Sequence, residues 1–199
     1  MTKSKTLEVV SGSIAATAED KDQTIAEAFV YIRALAMVDT SGSMATCDAP
    51  GKTMRYEAAC EGLRSLQLEY PGTIAVVGFS KTAALALGGI PAFQQGRTDM
   101  VAALEVARSF DDAGIRLIMI SDGQPDDPTK TLAVAQTFAT HIDTIYIGSE
   151  EARGAGRRFL ELLAATTGGE AMQSTAPGVL EAPVRLLLQE STDTSTRGV

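Results

Sequence analysis

Ala34-Leu35-Ala36-Met37-Val38-Asp39-Thr40-Ser41-Gly42-Ser43-Met44 is the stretch around which the rest of the chain can be placed. It opens on five apolar residues with no alternation, the pattern of a strand buried on both faces. The run then breaks into Asp39-x-Ser41-x-Ser43, with Gly42 permitting a sharp turn. Three oxygen-bearing side chains at spacing two, just beyond the carboxyl end of a buried strand, suit a small hard cation. Mg²⁺ takes oxygen ligands in near-octahedral array and commonly keeps waters or a partner's oxygen in its shell.

Outward from this stretch the chain alternates between strand and helix. A strand over 29–38 leads into the motif, and a loop over 45–53 turns at Pro50-Gly51. A helix over 55–69 follows, with Ala58, Ala59, Leu63 and Leu66 at helical spacing and Tyr70-Pro71-Gly72 as its stop. Residues 73–79 read as a second buried strand and 83–87 as an antiparallel edge strand. Further helices are expected over 99–110, 129–140, 157–165 and 179–189, and further strands over 115–120, 144–147 and 170–173. Gly168-Gly169 supplies a C-terminal stop for the third of those helices. Such alternation implies a mostly parallel sheet covered by helices on both sides. Ligands of such sheets bind at the carboxyl ends of the strands, where the strand order reverses. Asp39 and Asp122 both fall at strand carboxyl ends, and Thr98 falls in a loop on the same side.

Three separated segments then carry a family resemblance. Asp39-Thr40-Ser41-Gly42-Ser43-Met44 resembles the opening of the metal-ion-dependent adhesion site of von Willebrand factor A domains, a fold shared with integrin I domains. That family adds a threonine from a second loop and an aspartate from the end of a later strand. Here Gly96-Arg97-Thr98-Asp99 and Ile120-Ser121-Asp122-Gly123 take those places. The resemblance covers 29–190 and implies a three-layer, Rossmann-like α/β fold with a six-stranded sheet and one antiparallel edge strand. It implies metal ligation by Asp39, Ser41, Ser43, Thr98 and Asp122, with Mg²⁺ as the ion and Mn²⁺ or Ca²⁺ as substitutes. It also implies the partner chemistry: an Asp or Glu carboxylate of a second protein completes the metal shell. Intracellular bacterial members of the family often work beside AAA+ ATPases of the MoxR or chelatase type, or in stress-response systems. Arg97 departs from the small residue often found before the family's threonine; it either narrows access to the metal or offers a cation to the ligand carboxylate.

Each residue also has a plainer reading. Ser41 and Ser43 suit a cap or a turn, Thr98 a helix N-cap, and Asp122-Gly123 a turn. A lone DxSxS is weak; the joint order and strand context of three segments carry the metal reading. Asp126 and Asp127 read first as solvated surface, Asp99 as an addition to the negative rim, and the single histidine, His141, as an exposed or capping residue.

Composition bounds the function class. A chain of 199 residues that is 45% hydrophobic and 21% charged is large enough for one α/β domain with its own core. The net charge of -8 argues against a sequence-blind grip on nucleic acid or anionic lipid. Arg153, Arg157 and Arg158 form the one basic cluster, read as a solvated helix face. No apolar run approaches the roughly 20 residues needed to cross a bilayer. The first residues have no apolar core of signal-peptide length, so a cytoplasmic location is expected. Cys47 and Cys60 lack a CxxC spacing and read as free thiols. Residues 1–28 read as an arm packed on the domain edge, with a short strand over 7–10, and 191–199 as a flexible tail.

An enzyme is not expected. A Mg²⁺-dependent phosphohydrolase of the haloacid-dehalogenase type places Asp-x-Asp after its first strand, and here Ser41 replaces the second carboxylate. There is no GxSxG for a serine hydrolase and no GxxxxGK[ST] for a nucleotide.

Overall fold

Six strands form one sheet in the order β3-β2-β1-β4-β5-β6. The structure, a computed structural model, describes residues 9–123, 125–149 and 154–174. β1 (Ala34–Asp39) pairs in parallel with β2 (Ile74–Phe79) on one side and β4 (Arg116–Ser121) on the other. β5 (Ile142–Ile147) and β6 (Ala171–Ser174) continue the parallel sheet, and β3 (Ala83–Leu85) closes the other edge antiparallel to β2. The mostly parallel α/β fold with one antiparallel edge strand is the one expected.

Every residue of β1 is buried, which explains the lack of polar alternation in its sequence. Successive side chains point to opposite faces and so feed two cores. Leu35 and Met37 join residues of α1 (Ile14–Asp20), α2 (Ile25–Phe29), α4 (Met100–Ala107), α5 (Pro128–Ala135) and α6 (Ala155–Thr167) on one face. Ala34, Ala36 and Val38 meet α3 (Arg55–Glu69) on the other, through Ala59, Cys60, Leu63 and Leu66. Burying side chains such as Leu63 and Leu66 contributes about 2 kcal/mol each by transfer from water. Cys60 is buried in this layer and Cys47 is exposed, and neither is in a disulfide. Among the described residues no helix is long and apolar enough to cross a membrane.

The amino-terminal region differs from the expected arm and strand. The apolar run Phe29-Val30-Tyr31-Ile32 reads as strand, yet β1 starts only at Ala34, because a capping box fixes α2 just upstream. Thr24 Oγ1 accepts from Glu27 N while Thr24 N donates to the Glu27 carboxylate, satisfying two helix-end donors at once. Ser13 caps α1 in the same manner, accepting from Ala16 N. The polar run at 19–23 then spans the end of α1 and the link to α2, while Ile14, Ala18 and Ala28 are buried in the core. Val9 makes a single antiparallel bridge to Gly89. Leu7 and Glu8 of the expected short strand, Arg153, the expected helix over 179–189 and the expected tail over 191–199 lie outside the described residues.

α5 is shorter than the helix expected over 129–140. The backbone N–H groups of Ala139 and Thr140 donate to the Asp111 carboxylate instead of continuing a helix. The Arg108 guanidinium lies 4.0 Å from the Phe138 ring centroid and further holds the chain in its non-helical path.

Candidate metal centre

The strand order reverses between β1 and β4: the chain leaves β1 toward β2 on one side and returns to its other side as β4. Crevices at such a point, beyond the strand carboxyl ends, are where ligands of this sheet type bind. The register pairs Val38 with Ile120, so Asp39 and Ser121 end their strands side by side.

Asp39 is fully buried. Its Oδ1 accepts from Ser41 N at 2.8 Å and its Oδ2 from Ser121 Oγ at 2.6 Å. Ser121 Oγ in turn accepts from Gly123 N at 2.9 Å, so one hydroxyl ties the first motif to the segment carrying Asp122. Burial pushes the Asp39 carboxyl up from its ordinary 3.8 to about 6; the bonds from Ser121 and Ser41 oppose this, and the charge of Asp122 adds to it.

The two serines of the motif do not act as caps. Ser41 precedes the 3₁₀ turn Gly42–Ala45, but its side chain makes no cap hydrogen bond. Its Oγ lies 3.0 Å from Ser43 Oγ instead. Ser41 is buried and Ser43 exposed, so the hydroxyl pair runs from the buried Asp39 out to the surface.

Thr98 is brought near this turn through the backbone of its loop. Gly42 N donates to Gly96 O at 3.1 Å, and Gln95 N donates to Thr40 O at 3.0 Å. The cap of α4 is Asp99, whose side chain accepts from Ala102 N at 3.1 Å; the buried Thr98 is not used for that purpose. Asp127 likewise caps α5, and Asp126 pairs with Arg97 at 3.1 Å, so neither is merely solvated. His141 is exposed just ahead of β5.

Asp122 directly follows β4 and is 5% exposed. Its Oδ2 accepts from Arg55 Nη1 at 2.8 Å, and its Oδ1 is buried with no hydrogen-bond partner among the described residues. Arg55 also grips Asp48 through Nε and Nη2, both at 2.6 Å, a bidentate pair. Those bonds hold the Asp48 carboxyl below the usual range. The sequence reading missed Ser121, Asp48 and Arg55 as parts of the site. Ser121 was adjacent to a named residue, but nothing in the spacing announces Arg55, which stands 67 residues before Asp122.

Gly123 sets where Asp122 points. Its φ is +78°, and a Cβ there would stand 2.1 Å from the carbonyl oxygen of Gly156. Left-handed backbone plus a clash with another backbone leaves little room to relax. Gly123→Ala is therefore expected to destabilise the protein by on the order of 3 kcal/mol, read as a shift in the urea midpoint at constant slope. An unchanged midpoint would show that the α6 contact is loose.

Among the described residues no three His, Cys, Asp or Glu side chains cluster. A cation on this rim would draw on hydroxyls as much as on carboxylates. The donor set fits a hard ion: paired hydroxyls, one deeply buried carboxylate, and a carboxylate oxygen without a partner.

No protein-family model matches the chain, and no curated protein matches it. Solved structures do. An aerotolerance-related membrane protein from Bacteroides fragilis, carrying multiple mutations to serines, is 15% identical, with 80% of this chain and 99% of that one covered at a TM-score of 0.63. BatB from Bacteroides thetaiotaomicron is 16% identical, with 81% and 99% covered, also at 0.63. A von Willebrand factor type A protein from Catenulispora acidiphila is 19% identical, with 80% of this chain and 42% of that one covered, at 0.56. At such identities the likeness concerns the fold, which is von Willebrand A-like.

Proposed function

We propose that this chain is a metal-dependent protein-binding domain. In this reading Mg²⁺ is held by Asp39, Ser41, Ser43, Thr98 and Asp122, and a partner's Asp or Glu carboxylate completes its shell. The observation that carries it is the hydroxyl pair of Ser41 and Ser43, 3.0 Å apart next to a fully buried Asp39 that is tied through Ser121 to the segment carrying Asp122, whose Oδ1 has no partner among the described residues. A shell of neutral hydroxyls leaves a divalent ion short of negative charge, and an external carboxylate supplies it. Asp39, already bonded to Ser41 N and Ser121 Oγ, orients the site as well as lending charge. The fold is consistent with an interaction module.

The same proposal includes an intracellular location and, as partner, an AAA+ ATPase of the MoxR or chelatase type or a stress-response assembly. The competing reading, a Mg²⁺-dependent phosphohydrolase, needs a carboxylate free to attack. Asp39 is 0% exposed with both oxygens hydrogen-bonded, which favours the binding reading. Metal-dependent turnover of generic phosphate esters that vanishes in Asp39→Ala would reverse that preference.

Calorimetry with Mg²⁺ and Mn²⁺ tests the metal, and pull-downs with and without chelator test the partner. A proton competes with the ion for Asp39, whose carboxyl titrates near 6. Mg²⁺ affinity is expected to hold above pH 7 and to fall by up to about tenfold per pH unit well below 6. A pH-independent isotherm between 5 and 8 would exclude Asp39 from the site.

A further inference from the structure

Beside the candidate centre, on a protein of net charge -8, lies a pocket of about 340 Å³ that gathers three cations. Thr98 lines it, and so do Lys81, Arg97 and Lys130 together with Asp99, Asp126 and Asp127. By formal count the six charges cancel, but their engagements differ. Asp99 accepts from Ala102 N and Asp127 from Lys130 N, each satisfying the first turn of a helix. Asp126 is paired with Arg97. Among the described residues, no carboxylate pairs with the ammonium group of Lys81 or of Lys130. Lys81 and Lys130, neither in an ion pair among the described residues, therefore line a polar pocket at the amino-terminal ends of α4 and α5, whose helix dipoles partly offset the Asp99 and Asp127 carboxylates.

Lys81 also connects this pocket to the candidate centre. Its methylene stem lies against Gly96, where an added Cβ would meet Lys81 carbons at 3.6 Å. Gly96 is the residue whose carbonyl receives Gly42 N, so Lys81 sits over the joint between the two loops of the candidate centre.

We infer that this pocket is a second subsite for an acidic peptide segment of the partner: one carboxylate completes the metal shell, and neighbouring carboxylates of the same segment meet Lys81 and Lys130. Arg97, 72% exposed, is placed to exchange Asp126 for the ligand. The inference rests on the metal-dependent reading above for the first carboxylate, but the lysine contacts stand apart from it. Specificity then comes from a run of acidic residues and not from a single one, since a lone exposed ion pair adds little while two cations lining one pocket add charge complementarity and faster encounter.

The test uses the full chain and two labelled probe peptides, a Glu hexamer and a Gly/Ser peptide with one central Glu. In Mg²⁺ the hexamer should bind at least about tenfold more tightly, with an advantage that shrinks in high salt. In Lys81→Gln/Lys130→Gln the hexamer should fall to the level of the single-Glu peptide while the Mg²⁺ isotherm stays unchanged, which also shows that the variant folds. Equal binding of both peptides to the wild type, or an undiminished advantage in the variant, overturns the inference. An advantage that survives chelator and is lost in the variant supports the lysine subsite while the metal reading fails. Displacement of the hexamer by a short single-stranded oligonucleotide of equal charge, but not by a second acidic peptide, would assign the pocket to phosphates and overturn the acidic-peptide partner.

Discussion

Asp39→Asn should lose Mg²⁺ binding by about 100-fold or more and, in chelator above pH 7, yield a protein at least as stable as the wild type. The second half follows from the buried carboxyl. Its folded value of about 6 lies above the ordinary 3.8, so the ionised form is disfavoured in the native state. The stability contributed by the protonated group is fully present below about pH 4 and is lost as pH rises through 6. The loss approaches about 3 kcal/mol at the conversion of 1.36 kcal/mol per unit. Asparagine keeps an acceptor for Ser41 N–H and turns its amide toward Ser121 Oγ, which then accepts from both that amide and Gly123 N–H. The Ser121 proton loses its acceptor, a penalty of about 1 kcal/mol. Relief from the buried charge outweighs that lost hydrogen bond at pH 8 and is absent at pH 4. Urea titrations at those two values should cross, with the variant less stable in acid and more stable in base. Parallel curves would mean that Asp39 is not held in a charge-unfriendly site. A carboxylate whose charge works against the fold fits a residue that a cation would stabilise.

Arg55→Ala is expected to destabilise the metal-free protein by about 3 kcal/mol, the lower end for breaking a buried ion pair, because the Arg55 side chain is 12% exposed. The substitution strands Asp122, whose side chain is 3% exposed, and releases Asp48. Saturating Mg²⁺ should narrow the deficit by about 1.4 kcal/mol for each tenfold by which the variant binds the ion more tightly than the wild type. The variant should also bind Mg²⁺ more tightly than the wild type, having lost a cation beside the site. Asp48→Asn is the control: Asp48 is 27% exposed and its removal leaves the Arg55–Asp122 pair in place, so a loss of about 1 kcal/mol is expected. If thermal melts show the same deficit for Arg55→Ala in Mg²⁺ and in chelator, the ion does not neutralise Asp122.

The errors of sequence reading have different physical sources. Phe29-Val30-Tyr31-Ile32 carries β-branched and aromatic residues, yet the capping box of Thr24 and Glu27 settles part of that run as helix. The box was legible and outweighed the propensity. The premature end of α5 was not legible, because the competitor for its backbone donors is Asp111, a residue from the previous connection. Thr98 and Asp99 are equivalent as caps by residue type, and only the placed backbone assigns the cap to Asp99 and leaves Thr98 to the rim.

What the sequence determined by itself are the properties set by near neighbours along the chain. These include the doubly buried β1, the helix of 15 residues over Arg55–Glu69, the glycine stop at Gly168, and the turn that carries Ser41 and Ser43. Such features depend on periodicity and on backbone conformations that particular residues favour, both written locally. Tertiary structure alone decided that Ser121 binds Asp39, that Arg55 takes one oxygen of Asp122 and leaves the other without a partner, and that Lys81 lies over Gly96. Those are electrostatic and packing relations between residues 15 to 82 positions apart. They exist only once parallel register has brought the strand ends together, because Coulomb and hydrogen-bond energies depend on distance in space and not along the chain.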